Sequence, residues 1–416
     1  MSAASAPETG GDTGRNDYME REFDVMAAGH LCLDVIPRFA DTGARDIGRL
    51  LRPGKLVNVG PARISTGGPV SNTGINLKTL GARVCFCARV GDDAFGRLTI
   101  DLLRASGHAE GVHVVSGAGS SYTVVIAPPG IDRIFLHNPG TNDTFGLEDL
   151  DPALIARCRH FHFGYPPLME GMYANEGAGL ETVLRIAKEA GATTSCDMSL
   201  PDADSPSGRA PWRRILERVL PYVDIFLPSV EETLYMLDPD RFLRMKREHQ
   251  DADLIDVVDP ALYSEMATET LGMGAKMVSL KTGHRGFYLR TGPAAAFDGM
   301  GAARPGDPEN WADRELWAPA FVVPQFGSAT GSGDSAIAGF LAAYVRGCTI
   351  EQALRCATCC GWQNVQVLDA VSGIRSWEET TALLDERMPH IDAQIDATGW
   401  RWDAEIALWR GPNDRA

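Results

Sequence analysis

The residues best suited to chemistry in this 416-residue chain lie at 328–335, Ser-Ala-Thr-Gly-Ser-Gly-Asp-Ser. An apolar run at 321–323 precedes them and a strongly apolar segment at 336–344 follows, which predicts strand, glycine turn and helix. A helix start carries unpaired N–H groups and the positive end of the macrodipole, so it attracts anions. Gly331 and Gly333 let the backbone come close to a ligand. Asp334 is then a carboxylate fixed beside an anion pocket. A site that only binds phosphate has no use for that neighbour, whereas a site that takes a proton from a hydroxyl attacking phosphorus does. Two other interpretations compete. Residues 331–336 fit the dinucleotide fingerprint G-x-G-x-x-A, but the acid about 20 residues on is Glu351, inside a helical pattern rather than at a strand end. An ordinary glycine-rich helix start with Asp334 as an exposed first-turn acid also fits, since short motifs match by chance.

Other polar residues stand where a fold of alternating strands and helices places ligands. Asp34 follows the predicted first strand at 23–29, outside the carboxyl ends of the strands, where it is either a ligand-holding acid or a turn cap. Gly67-Gly68-Pro69-Val70-Ser71-Asn72 forms a tight turn into a helix predicted over 70–80 and closed by Gly81. Asn72 falls in the first turn, with its amide free to meet whatever approaches the glycines. Cys85 and Cys87 alternate on one strand face, and Cys356, Cys359 and Cys360 lie at helical spacing; both groups read as core, without a second pair at zinc spacing. His160 and His162 share a strand face with no third ligand in view, which favours a structural role.

These groups need elements to hold them. Strands are expected at 83–90, 160–164, 192–197, 222–227 and 276–281, the last with a hairpin partner at 286–290. Helical patterns at 181–190, 212–220, 231–237 and 260–271 intervene, which implies a mainly parallel sheet covered on both faces. Residues 112–137 differ: short β-prone runs joined by Gly, Ser and Pro turns suggest antiparallel strands standing off the main body as a lid. Helices are expected at 334–346 and 351–368, and an amphipathic helical extension at 376–416. Residues 1–20 are polar and rich in Gly, Ser and Ala, as a disordered tail would be.

With 39 basic and 55 acidic side chains the formal charge is −16, against the basic footprint of a nucleic-acid binder. Hydrophobic content of 44% and charged content of 23% suit a globular protein. Nine cysteines in this length do not read as a disulfide framework. The sequence shows neither a membrane-length apolar run nor a signal-like leader, so a cytoplasmic setting is expected.

Together these features resemble the ribokinase-like (PfkB) family of carbohydrate and nucleoside kinases over residues 23–375. That family has a strand ending in an acid, a Gly-Gly-x-x-x-Asn segment, a β lid, an Asn-x-x-Glu motif and a late Asp-Thr-x-Gly-Ala-Gly-Asp signature. Here they look like Asp34, Gly67–Asn72, lid strands within 36–66 and 112–137, Ser229-Val-Glu-Glu232 and Ser328–Asp334. Lys281-Thr-Gly283-His-Arg-Gly286 resembles the family's nucleotide loop. The resemblance implies a ribokinase-like α/β fold and ATP-dependent phosphorylation of a hydroxyl on a small sugar or sugar acid. Asp334 would be the general base, with Gly331, Ser332 and Gly333 as anion hole. Asp34, Gly67, Gly68, Asn72 and Asn142 would border the sugar, with Arg133 on the same side. Lys281, Gly283, Gly286 and Asn364 would lie beside ATP, and Glu232 would organise Mg2+. Paired lid sheets would make a homodimer. The family's Asp-Thr is Ser328-Ala329 here, and that Asp contributes to a monovalent-cation site, so the change weighs against K+. Two alternatives remain: a nucleoside kinase, and a sugar- or nucleotide-binding sensor without catalysis.

Overall fold

The computed structural model describes residues 21–41, 43, 46–131, 134–250, 252–386, 388–393, 395 and 397–415. The tail at 1–20 and Arg133 lie outside them. In chain order the strands are β1 (Phe23–Gly29), β2 (Cys32–Arg38), β3 (Gly60–Gly67), β4 (Val84–Gly91), β5 (His108–Val115), β6 (Tyr122–Ile126), β7 (Ile134–Asn138) and β8 (Cys158–Gly164). They continue with β9 (Thr193–Asp197), β10 (Ile225–Phe226), β11 (Met277–Lys281), β12 (Phe287–Thr291), β13 (Glu315–Ala318), β14 (Arg401–Asp403) and β15 (Leu408–Arg410).

Among the described residues, eleven strands form one sheet in the order β14-β15-β13-β12-β11-β10-β9-β8-β1-β4-β5. From β5 to β11 every pairing is parallel; from β11 to β14 every pairing is antiparallel. The alternation of side chains along a strand splits the core between the two faces. On β4, Cys85 and Cys87 point into one buried cluster and Val84, Phe86 and Ala88 into the other. Burial pushes the Cys85 thiol up to about 12, as for an inert core residue. Helices Ser332–Val345 and Ile350–Asn364 pack closely: a Cβ on Gly339 would come within 2.5 Å of the Cys356 carbonyl oxygen. His160 and His162 share the Ser195 hydroxyl at 2.7 and 2.8 Å, and both rings are buried.

Four strands form a separate small sheet in the order β3-β2-β6-β7. Residues 112–115, expected in this lid, instead end β5, an edge strand that runs parallel to β4. A parallel partner lies a helix away in sequence, so short-range pattern does not reveal it. Two further corrections concern the chain near its end. The run 321–323 is not a strand: Phe321 makes an isolated bridge to His390, and β13 lies earlier, at Glu315–Ala318. Pro319 and Pro324 bracket the run and supply no N–H for a ladder. Among the described residues of 376–416 the helix is confined to Trp377–Asp385; β14 and β15 then form a hairpin that extends the sheet beside β13.

Candidate active site

The helix Ser332–Val345 begins at Gly331, whose φ of 73° is left-handed. A Cβ there would lie 2.3 Å from the Ala370 Cβ and 2.7 Å from its Cα, so the position demands glycine on two counts. The turn sets the start of the helix at a cavity of about 730 Å³, which Gly331, Ser332, Gly333 and Asp334 line. Lys281, Gly283, Gly286, Glu232 and Tyr165 line it as well. Its remaining wall is largely apolar, with Phe321, Val323, Phe326, Trp362 and Ile391.

Asp334 is almost fully buried and is gripped at both oxygens. Asn72 Nδ2 donates to Oδ2 at 2.9 Å, and the Tyr165 hydroxyl donates to Oδ1 at 3.0 Å. Burial pushes the Asp334 pKa above the ordinary carboxylate value, while Asn72, Lys281 and Tyr165 draw it down only in part. A carboxylate so placed is a stronger base than an exposed one, which suits proton abstraction.

Asn72 is carried by the helix Pro69–Thr79, whose cap is Gly68 at φ 86°. Both glycines before that helix are close-approach positions. A Cβ on Gly67 would meet the Asp34 carboxylate at 2.3 Å, and one on Gly68 would meet His30 Nδ1 at 2.6 Å. Asp34 therefore lies against the glycine turn, while the other end of that turn bonds Asp334. Cys32 Sγ donates to Asp34 Oδ1 at 3.4 Å. Burial pushes the Asp34 pKa up to about 6, against the hydrogen bonds from Cys32 and Thr123.

On the opposite wall the Lys281 ammonium contacts Asp197 Oδ1 and lies 3.7 Å from Glu232 Oε2. Burial disfavours its charge, but Asp197 and Glu232 outweigh that and hold Lys281 above its ordinary pKa. Glu232 also accepts from the Ser229 N–H at 2.6 Å, while the Ser229 hydroxyl accepts from the Glu232 N–H at 3.1 Å. This is a capping box that fixes the start of the helix Val230–Leu237 at the cavity wall.

A model of the pfkB family of carbohydrate kinases matches residues 24–377. The chain belongs to that family. It is 29% identical to fructokinase-1 of Zea mays over 195 residues, 46% of this chain and 56% of that one. It is 28% identical to fructokinase-1 of Oryza sativa over 196 residues, again 46% and 56%. The chain thus spans less than two thirds of the length of the curated relatives it matches. Its fold is similar to that of Arabidopsis thaliana ribokinase complexed with ribose and ATP, with TM-score 0.63 and 18% identity over 87% of this chain and 98% of that one. It is likewise similar to Xylella fastidiosa fructokinase with bound ATP, with TM-score 0.62 and 18% identity over 88% and 98%.

Within this pfkB-family chain, the cavity gathers Glu232, Lys281, Gly283, Gly286 and 331–334 from the predicted set. Asn72 joins through its bond to Asp334. Asp34, Gly67 and Gly68 are not among the cavity's lining residues; Asp34 lies on lid strand β2, Gly67 ends lid strand β3, and Gly68 caps the helix that carries Asn72. Asn142 and Asn364, also in the predicted set, do not line that cavity. Asn142 is fully buried, and its amide donates to the Leu31 carbonyl at 3.0 Å and accepts from the Leu31 N–H at 3.3 Å. Both ends of the amide bond the β1–β2 junction. Asn364 is also fully buried and donates to the Asp369 carbonyl at 3.0 Å, while Gly361, Trp362 and Val365 of the same stretch reach the cavity.

Sequence reasoning missed Tyr165 and Asp197. Tyr165 stands one residue past β8, and Asp197 is the last residue of β9. Both stand at the carboxyl ends of strands, the position that singled out Asp34. Applied to every strand, that criterion finds them.

Proposed function

We propose that this chain transfers the γ-phosphoryl group of ATP to a hydroxyl of a small sugar or sugar acid. The observation that carries this is the placement of Asp334: a buried carboxylate with a raised pKa, in the first turn of a glycine-capped helix, opening on a cavity large enough for a nucleotide. A substrate hydroxyl held near Asp34 and Asn72 would lose its proton to Asp334. The N–H groups at 331–333 would receive the negative charge of the phosphoryl oxygens. Asn72 and Tyr165 would keep the carboxylate aimed at the reacting hydroxyl.

The donor set fits magnesium brought by the nucleotide. Among the described residues no group of three His, Cys, Asp or Glu side chains could hold a metal ion. Mg2+ usually takes one or two carboxylates together with substrate phosphates, which matches Glu232 at the cavity wall. When bound, it would neutralise charge on the β- and γ-phosphate oxygens. At the place of the family's cation-site Asp, the Ser328 hydroxyl accepts from the Thr330 N–H at 3.0 Å and so fixes its own loop. That commitment supports activity without K+.

The experiment is a coupled ADP-release assay over fructose, ribose, 2-keto-3-deoxygluconate and adenosine, with and without potassium. Fructose and ribose head the panel because the relatives are named fructokinases and a similar structure is a ribokinase with ribose. Turnover on a sugar and not on adenosine is the expected result. Adenosine turnover instead would make the chain a nucleoside kinase. Nucleotide binding without turnover on any acceptor would make it a sensor.

A further inference from the structure

We infer that Lys281 is a catalytic residue that contacts the phosphoryl group during transfer, and that Asp197 is the residue that positions it. This rests on the kinase activity proposed above. Phosphoryl transfer is accelerated chiefly by positive charge and donors aimed at the transferring oxygens. Among the described residues lining the cavity there is no arginine and no second lysine, so this ammonium is the permanent side-chain cation at hand.

Its geometry is that of a group held for use. The Lys281 stem crosses the first turn of the helix that begins after Gly331: a Cβ on Gly333 would lie 3.2 Å from its Cδ, 3.7 Å from Cε and 3.9 Å from Nζ. The ammonium therefore sits over the same backbone that forms the anion cradle. The tether is one-sided. Asp197 Oδ1 takes the Lys281 ammonium and the Met198 N–H, while Oδ2 is buried with no partner. Asp197 is fully buried, whereas the Lys281 side chain keeps 12% of its surface exposed, towards the cavity. A pair that served stability alone would do better with both carboxylate oxygens satisfied.

In the transfer, the acceptor oxygen forms its bond to the γ-phosphorus as the bond to the β–γ bridging oxygen breaks. The electron pair of the broken bond leaves on ADP, and the acceptor proton goes to Asp334. Lys281 keeps its proton throughout and donates to an oxygen of the moving phosphoryl group. Asp197 holds the ammonium in place.

The test compares binding of ADP and of the β,γ-imido analogue of ATP, each with Mg2+, to wild type and to Lys281→Met by calorimetry. Loss of one charge-assisted hydrogen bond should weaken the imido analogue about 10–100-fold while ADP changes by less than about twofold. With an accepted sugar, kcat should fall about 10²–10³-fold, the scale of a lost oxyanion donor, with a smaller change in KM for ATP. Asp197→Asn should lower kcat in wild type but have no further effect in the Lys281→Met background. The double variant removes the Lys281–Asp197 pair as a unit and leaves Glu232 held by the Ser229 N–H, so it gives the nucleotide comparison even if Lys281→Met alone does not fold. Equal losses for both nucleotides, or no loss, overturn the inference. If wild type turns over no acceptor, the kinase proposal fails, yet the nucleotide comparison still decides whether Lys281 meets the γ-phosphoryl group.

Discussion

Asp334, the proposed base, is held by two neighbours. Tyr165 and Asn72 each stabilise the charged form by donating to it, against burial that disfavours charge. The base must be ionised, so kcat/KM should fall as pH drops through a pKa lying above the ordinary carboxylate range of about 4. Tyr165→Phe removes one donor and should move that acid limb to higher pH, by about one unit or less. A pH–rate profile that does not move separates Tyr165 from the base. Asp34 makes a stability prediction with the opposite sense to a salt-bridged acid. Its folded pKa of about 6 exceeds the ordinary 3.8, so the folded state binds the proton more tightly than the unfolded state does. The contribution is fully present below pH 3.8 and is lost as pH rises through 6. Asp34→Asn should therefore stabilise by up to about 3 kcal/mol at pH 8 against about 1.5 kcal/mol at pH 5, read as a larger rise in Tm at pH 8, while weakening sugar binding. A variant stabilised equally at both pH values would show that Asp34 is not ionised under strain.

At the scale of elements, the glycine cap at 331 joins folding to function. Gly331→Ala forces a side chain into a left-handed φ and onto the Ala370 backbone. It should cost about 1–3 kcal/mol, read by denaturant unfolding, and lower turnover because the same turn aims the anion hole. Activity retained at wild-type level would detach the cap from catalysis. The lid meets the body through Arg63 Nη2 and Asp369 Oδ2 at 2.6 Å, with Arg63 half exposed. Asp369 is buried but keeps the Val371 and Ser372 N–H groups and the Ser372 hydroxyl as donors, so Arg63→Ala should cost about 1–2 kcal/mol, read as a lower unfolding midpoint. The helix at 332–345 was legible because glycine turn and apolar face agree. The strand before it was not: apolar residues at 321–323 imitate a strand, but the prolines around them deny it a ladder. Likewise the Nδ2 of Asn364 donates to the Asp369 carbonyl, a destination that no local pattern shows.

The whole molecule is a long sheet with its candidate site at strand carboxyl ends, and a small second sheet of β3, β2, β6 and β7. The parallel half was legible, since helices separate strands at regular spacing. The antiparallel end was not, because β14 and β15 span only three residues each and period-two alternation cannot be read in so few. That hairpin matters for stability. Buried Glu315 accepts from the Asn413 backbone and side chain, both at 2.8 Å, and Leu408 is fully buried. Deleting 401–416 removes both donors to Glu315 Oε2 and breaks the buried Arg314–Asp414 ion pair, which should cost on the order of 3–5 kcal/mol, seen as a lower Tm. An unchanged Tm would mean the sheet is complete at β13. No helix among the described residues is long and apolar enough to cross a membrane. The most direct test of the account is kcat of Asp334→Asn on the accepted sugar, measured beside its affinity for ATP. The account predicts a loss of about 10²–10⁴-fold in kcat with ATP binding preserved; full kinase activity in that variant would contradict it.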